Sequence, residues 1–307
     1  MNRRVAALDC GTNSLRLLVA EVRPDGGLRD LERELRIVRL GQDVDATRRF
    51  AAEALARTFA VCGEYADLIA RHDVDAVRFC ATSAARDVDN RDELVAGVRS
   101  RLGVEPEVIS GYEEAELTYA GATDGLDVLG LTPPYLVADI GGGSTELVLG
   151  DGHGRVRAAE SLDVGSVRMT ERHLAGDPPT HAQVEGAASD VDVALDDLRV
   201  PLDEARTLVG VAGTITTVAA MVLDLPAYQP ERVHHARLDV RAVHRVTARL
   251  LEMTRSERTA LPFMHPGRAD VIGAGALVLD RILARLDVSE VVVSEHDILD
   301  GIAASLR

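Results

Sequence analysis

Short apolar, β-branched runs alternate along the chain with longer segments of helical period, a pattern that predicts an α/β fold rather than an all-α or all-β one. Strands are expected at 5–8, 15–22, 76–81, 104–109, 135–140, 145–149, 207–212 and 290–294. Between them, 53–71 sets Leu55, Phe59, Leu68 and Ile69 on one side of a helix, and 91–102 reads similarly. The segment 124–134 is glycine-rich and closes on Pro133-Pro134, which reads as a linker. Two lobes are therefore expected, at 1–122 and 123–307, with the final helix a candidate to pack back on the first lobe.

The pattern also repeats. Asp9-Cys-Gly-Thr-Asn-Ser-Leu-Arg-Leu recurs 130 positions on as Asp139-Ile-Gly-Gly-Gly-Ser-Thr-Glu-Leu, each copy following a β-run and sharing D-x-G-x-x-S-x-x-L. Duplicated lobes explain such self-similarity. Gly11 in one turn and Gly141, Gly142 and Gly143 in the other let backbone N–H groups approach a ligand closely, since no Cβ intervenes. Successive N–H groups in such turns form an anion-binding concavity. Thr12, Asn13, Ser14, Ser144 and Thr145 add side-chain donors, while Asp9 and Asp139 stand where carboxylates hold Mg²⁺ against phosphate oxygens. Taken singly, each turn also reads as a hairpin capped by its Asp; the matched pair points to phosphate. A third anion turn is expected at Ala212-Gly213-Thr214, between an apolar run and a helix. Another lies at 163–168, where Ser166 is a donor.

Composition narrows the chemistry. With 46% hydrophobic residues among 307, the chain can bury a sizeable core. A net charge of −16 argues against a broad nucleic-acid surface, so a polyanionic ligand needs a local basic groove. All 34 basic residues are arginine, which excludes a Walker-type, Schiff-base or catalytic lysine and leaves phosphate charge to arginine and metal. Cys10, Cys62 and Cys80 are odd in number and unclustered, suggesting neither a disulfide framework nor a zinc site. No apolar run reaches membrane-spanning length and the first residues lack a signal-peptide pattern, so a cytoplasmic protein with no membrane or nucleic-acid partner is expected. The dipeptide His72-Asp73 lacks the further ligands of a metal-dependent HD phosphohydrolase. His234, His235 and His265 likewise lack partners at helical spacing.

The paired turns resemble the actin-like, sugar-kinase and chaperone ATPase superfamily. That resemblance implies two ribonuclease-H-like lobes with an interlobe cleft that clamps a phosphate chain. Within the superfamily, Val108-Ile-Ser-Gly-Tyr-Glu-Glu-Ala-Glu-Leu117 looks like the I-S-G-x-E-E-A signature of the exopolyphosphatase and guanosine-pentaphosphate phosphatase (Ppx/GppA) family, which kinases of the fold lack. By this resemblance Glu114 activates the attacking water; Glu113, with Ser110, also fits a capping box. Arg86, in Phe79-Cys-Ala-Thr-Ser-Ala-Ala-Arg86, matches an arginine that contacts substrate phosphate, the alternative being an exposed helical arginine. Asp139 and Glu146, with Asp9, would hold Mg²⁺, the alternative for Glu146 being a solvent-facing strand position. Asn13, Ser14, Gly141, Gly142, Gly143, Ser144, Ser166, Gly213 and Thr214 would bind phosphoryl oxygens. Mn²⁺ is admitted as a substitute metal and K⁺ as an accessory cation. The stretch 267–275 matches the place where related ATPases hold adenosine, and 291–301 the family's closing strand and helix, with Ser294 and Asp297 read as a capping box. Glu116 stands where many relatives carry Arg.

The activity implied is hydrolysis of the terminal phosphoanhydride of inorganic polyphosphate. Guanosine pentaphosphate (pppGpp) is the alternative substrate, and a non-catalytic polyphosphate or nucleotide sensor is the alternative of another class. A homodimer is expected. The Glu113-Glu114 helix start argues against an ATP-dependent kinase.

Overall fold

The computed structural model describes residues 3–24, 26–152 and 154–307. Among these residues the strands build two mixed sheets. The first holds β1 (Arg4–Cys10), β2 (Ser14–Val22), β3 (Leu28–Ile37), β4 (Ala76–Ala81) and β5 (Glu107–Val108), in the order β3-β2-β1-β4-β5. The second holds β6 (Tyr135–Ile140), β7 (Thr145–Gly150), β8 (Val156–Leu162), β9 (Thr207–Val211), β10 (Arg237–Asp239) and β11 (Glu290–Val293), in the order β10-β11-β9-β6-β7-β8. In each sheet the first three strands form an antiparallel meander and the fourth joins the first in parallel. Counted from its own first strand, the first sheet runs 3-2-1-4-5 and the second 3-2-1-4-6-5, the same ribonuclease-H-like order once the short edge strand β10 is set aside. The chain thus folds as two such lobes. Its compact units are Met1–Gly121 together with Ile298–Arg307, and Ala122–Asp297.

In the first unit β1 is buried from Val5 to Cys10, because both of its faces are covered. Alternation along the strand sends Ala6 and Leu8 to a core shared with Leu55, Tyr65 and Leu94. Val5 and Ala7 go to the other face, where Ile298, Leu299, Ile302 and Ala303 cover them. The helices Ala52–Arg71 and Arg91–Leu102 meet where Gly97 leaves room for the Phe59 ring. Each fully buried Leu or Val side chain contributes about 1.5–3 kcal/mol. Cys10, Cys62 and Cys80 are all buried, and burial pushes the Cys62 and Cys80 thiols up to about 12.

Three local expectations are corrected. The strand expected at 104–109 contracts to Glu107–Val108, which alone pairs with the end of β4. Ser294 and Asp297 form no capping box: the last helix begins at Ile298, and the Ser294 hydroxyl instead bonds the N–H and carbonyl of His296 at 3.1 and 3.0 Å. Ser110 does cap its helix, accepting from Glu113 N–H at 3.1 Å, but the Glu113 carboxylate turns to Arg78 at 2.6 Å rather than back to the cap. Among the described residues no helix is long and apolar enough to cross a membrane.

Candidate functional site

Both glycine turns close in the same way: Gly11 N–H donates to the Ser14 carbonyl and Gly141 N–H to the Ser144 carbonyl, each at 3.0 Å. In the second unit a neighbouring helix, Ser166–His173, then takes up the carbonyls of the turn. Gly141 O accepts from Ser166 N–H at 2.9 Å, Gly142 O from Val167 and Arg168 N–H at 2.8 and 3.1 Å, and Gly143 O from Arg168 Nε at 2.7 Å. A trans peptide points each N–H away from the carbonyl that precedes it. The N–H groups of Gly142, Gly143 and Ser144 therefore point away from those carbonyls, a run of successive donors of the kind that suits an anion. Gly165 permits this packing, since a Cβ there would lie 2.6 Å from Gly142 O. The first unit builds its turn likewise. Thr12 O accepts from Gly41 N–H at 2.8 Å, and Asn13 O from the N–H groups of Val38 and Arg39 at 3.0 and 2.9 Å.

The third turn lies beside the second. Asp139 is in register with Val211 on β9, which delivers the chain to Gly213 and Thr214 in the first turn of the Ala212–Val222 helix. Gly275 brings two donors together: a Cβ there would stand 2.5 Å from Thr214 Oγ1 and 3.1 Å from Ser166 Cβ. Ser144, Ser166, Gly213 and Thr214 thus gather at one end of the second sheet. Arg268 joins them, its guanidinium lying where a Gly213 side chain would be. Sequence reading placed the stretch 267–275 near the site but did not single out this arginine, whose contact is made far along the chain from its own position.

At its charged positions the repeat diverges. Asp9 faces Arg16 across β1 and β2, and Arg16 Nε and Nη2 donate to Asp9 Oδ2 at 2.9 and 2.7 Å. At the corresponding place in the second unit Asp139 faces Glu146. Both carboxylates are buried, so Glu146 is not a solvent-facing strand residue. Its Oε1 accepts from the Ser144 and Ser161 hydroxyls at 2.8 and 2.7 Å. Like charges directly opposite on a sheet repel, and a divalent cation would relieve such repulsion. Among the described residues no three or more His, Cys, Asp or Glu side chains gather as ligands. Two carboxylates suit Mg²⁺, which keeps several waters and takes its remaining ligands from phosphate.

Glu114 lies on the helix Gly111–Thr123 and is 7% exposed. Its Oε2 accepts from Arg86 Nη1 at 2.6 Å, and Arg86 Nη1 also reaches Ile109 O at 3.2 Å. Arg86 is therefore a partner of Glu114 and not an exposed helical arginine. Burial raises the Glu114 carboxyl to about 7; Arg86 and a hydrogen bond from Thr82 oppose the rise, and the charge of Asp9 adds to it. The first unit thus collects Asp9, Arg16, Thr82, Arg86 and Glu114 around the ends of β1 and β4.

A buried carboxyl raised toward neutrality is suited to taking a proton from water. The chain belongs to the Ppx/GppA phosphatase family, which it matches over residues 18–306. It is 50% identical to Exopolyphosphatase 2 of Mycobacterium tuberculosis, over 99% of this chain and 98% of that protein. The crystal structure of an exopolyphosphatase-like protein, 46% identical, matches 99% of this chain and 97% of its own with a TM-score of 0.96. The Aquifex aeolicus family member, 32% identical, does so over 99% and 97% with a TM-score of 0.82.

Proposed function

We propose that this chain is an exopolyphosphatase, hydrolysing the terminal phosphoanhydride of inorganic polyphosphate with Mg²⁺. The observation that carries the proposal is the buried Glu114, held by Arg86 Nη1 at 2.6 Å, whose carboxyl burial raises toward the range of a base at neutral pH. The whole-length similarity to a protein named Exopolyphosphatase 2 supports the choice of substrate.

Phosphoryl transfer passes through a loose transition state, so positioning and charge neutralisation supply most of the catalysis. In this reading the N–H groups of Gly142, Gly143 and Ser144 hold the terminal phosphoryl oxygens, with Ser166, Thr214 and Arg268 alongside. Asn13 and Ser14, in the matching turn of the first unit, are further phosphate-binding groups. Glu114 accepts a proton from water as the water oxygen bonds to phosphorus. The bridging P–O bond breaks, its electron pair leaves with the shortened chain, and orthophosphate is released. Arg86 keeps the Glu114 carboxylate oriented. Asp139 and Glu146 would hold Mg²⁺, which supplies charge neutralisation at the phosphoryl oxygens.

The test is phosphate release from long polyphosphate, short polyphosphate, pppGpp and ATP, measured in parallel with Mg²⁺ and with a chelator. Polyphosphate turnover that the chelator abolishes is expected. Faster turnover of pppGpp would transfer the assignment to that substrate, and binding without turnover of any of the four would make the protein a sensor.

A further inference from the structure

The Glu114 helix is packed against a segment that enters the first unit only after the whole second unit. The helix Ile298–Ala304 lies on β1 and β2, and Gly301 is where it meets the Gly111–Thr123 helix. The two backbones touch there: a Cβ on Gly301 would overlap Leu117 O and stand 2.7 Å from Leu117 C. Leu117 is less than one turn from Glu114 on the same helix. Two polar ties hold the arrangement in register. Asp300 accepts from Arg33 Nη2 and Nη1 at 2.5 and 3.3 Å. Arg78 donates to Ser305 Oγ at 3.0 Å, and through Nη2 to Glu113 at 2.6 Å, the residue next to Glu114.

Resting on the hydrolytic reading of Glu114, we propose that Gly301 is a positioning residue, whose missing side chain sets the contact between Glu114 and Arg86. The partners of Glu114 are fixed independently of its helix. Arg86 belongs to the turn Ser83–Arg86, and its carbonyl is held by Arg91 Nη2 at 3.0 Å. Thr82 N–H is bound to Cys10 O at 3.2 Å, and Asp9 to Arg16. A side chain at 301 pushes on backbone, which cannot rotate aside as a flexible side chain would, so the helix must shift by about 1 Å, a misplacement that costs roughly 100-fold when it reaches the chemistry. Arg86 and Thr82 stay, and the 2.6 Å contact opens. Glu114 then loses the groups that favour its charged form while Asp9 and the surrounding apolar packing remain. It titrates at higher pH.

The experiment is Gly301→Ala in the full chain, with three readouts: thermal melting, kcat and KM for polyphosphate across pH, and the Glu114 carboxyl titration by ¹³C NMR. A folded variant is expected with KM within about twofold of wild type, kcat lower by roughly 10- to 100-fold and an acidic limb displaced to higher pH. A folded variant with the wild-type Glu114 titration overturns the proposal, as does one in which only KM changes. If Gly301→Ala does not fold, Asp300→Asn loosens the Arg33 tie without adding bulk; an upward shift of the Glu114 titration supports the positioning role, and an unchanged one overturns it. The titration does not depend on turnover. A wild-type protein that hydrolyses nothing would refute the proposed activity while leaving the positioning claim to be decided by NMR.

Discussion

Arg16 donates two hydrogen bonds to Asp9 Oδ2 at the point in the first unit where the second unit sets Glu146 opposite Asp139. At this position the two turns therefore differ in the sign of the charge that faces the aspartate. The first sets a guanidinium opposite its aspartate, and the second sets another buried carboxylate there.

Glu146→Gln should raise the melting temperature in the absence of metal and abolish the stabilisation that Mg²⁺ gives wild type. Binding to the native state alone stabilises by mass action, so calorimetry with and without Mg²⁺ reads the site without an activity assay. A variant that kept the full Mg²⁺ shift would place the ion elsewhere.

Glu114→Gln should lower kcat by about 100- to 10,000-fold, the range for a lost general base. In wild type the rate should climb as pH rises through about 7, where the Glu114 carboxyl gives up its proton. The same shift has a consequence for stability. Because the folded-state value is raised above that of an ordinary glutamate, the folded protein holds the extra proton; the stability it contributes is present at low pH and lost as pH rises through about 7. Glutamine stands in for the protonated form, so the variant should melt higher than wild type at pH 8 and alike at pH 4. Equal melting temperatures at pH 8 would contradict the raised titration.

Gly165→Ala places a methyl group 2.6 Å from Gly142 O and must lift the Ser166–His173 helix off the turn. KM for the phosphate chain should rise by about tenfold, the worth of one hydrogen bond, with a smaller effect on kcat. An unchanged KM in a folded variant would mean that the turn does not hold substrate.

Gly213→Ala drives a methyl group into the Arg268 guanidinium, so it should weaken substrate binding through the same arginine that Arg268→Ala removes. Residues acting as one unit are not additive. The double variant should be no worse than Arg268→Ala alone, and additive losses in kcat/KM would separate the two residues.

The sequence was most readable where local pattern and final environment agree. The strand at 76–81, the helix at 91–102 and the strand at 135–140 appear with the bounds that periodicity suggests. β3 and β8 went unread because each lies at a sheet edge. Edge strands carry charge that blocks further pairing, and Leu28–Ile37 alternates acid and arginine with little apolar signal. The repeat exposed both glycine turns, since each is encoded within a dozen residues. Partner choice was not all encoded locally: Arg86 turns to Glu114 and Arg268 to Gly213, each contact fixed by topology that brings distant segments together.

The covering of β1 by the segment 298–307 has a consequence for how the protein is made. Val5, Ala7, Leu18 and Ala20 leave the ribosome early, yet the residues that shield them, Ile298, Leu299, Ile302 and Ala303, are translated only after the second unit. A nascent chain therefore carries a bare apolar sheet face throughout most of its synthesis, the kind of surface that recruits chaperones and seeds aggregates. A chain that stops before Ile298 lacks both the cover of that face and the backing of the Gly111–Thr123 helix.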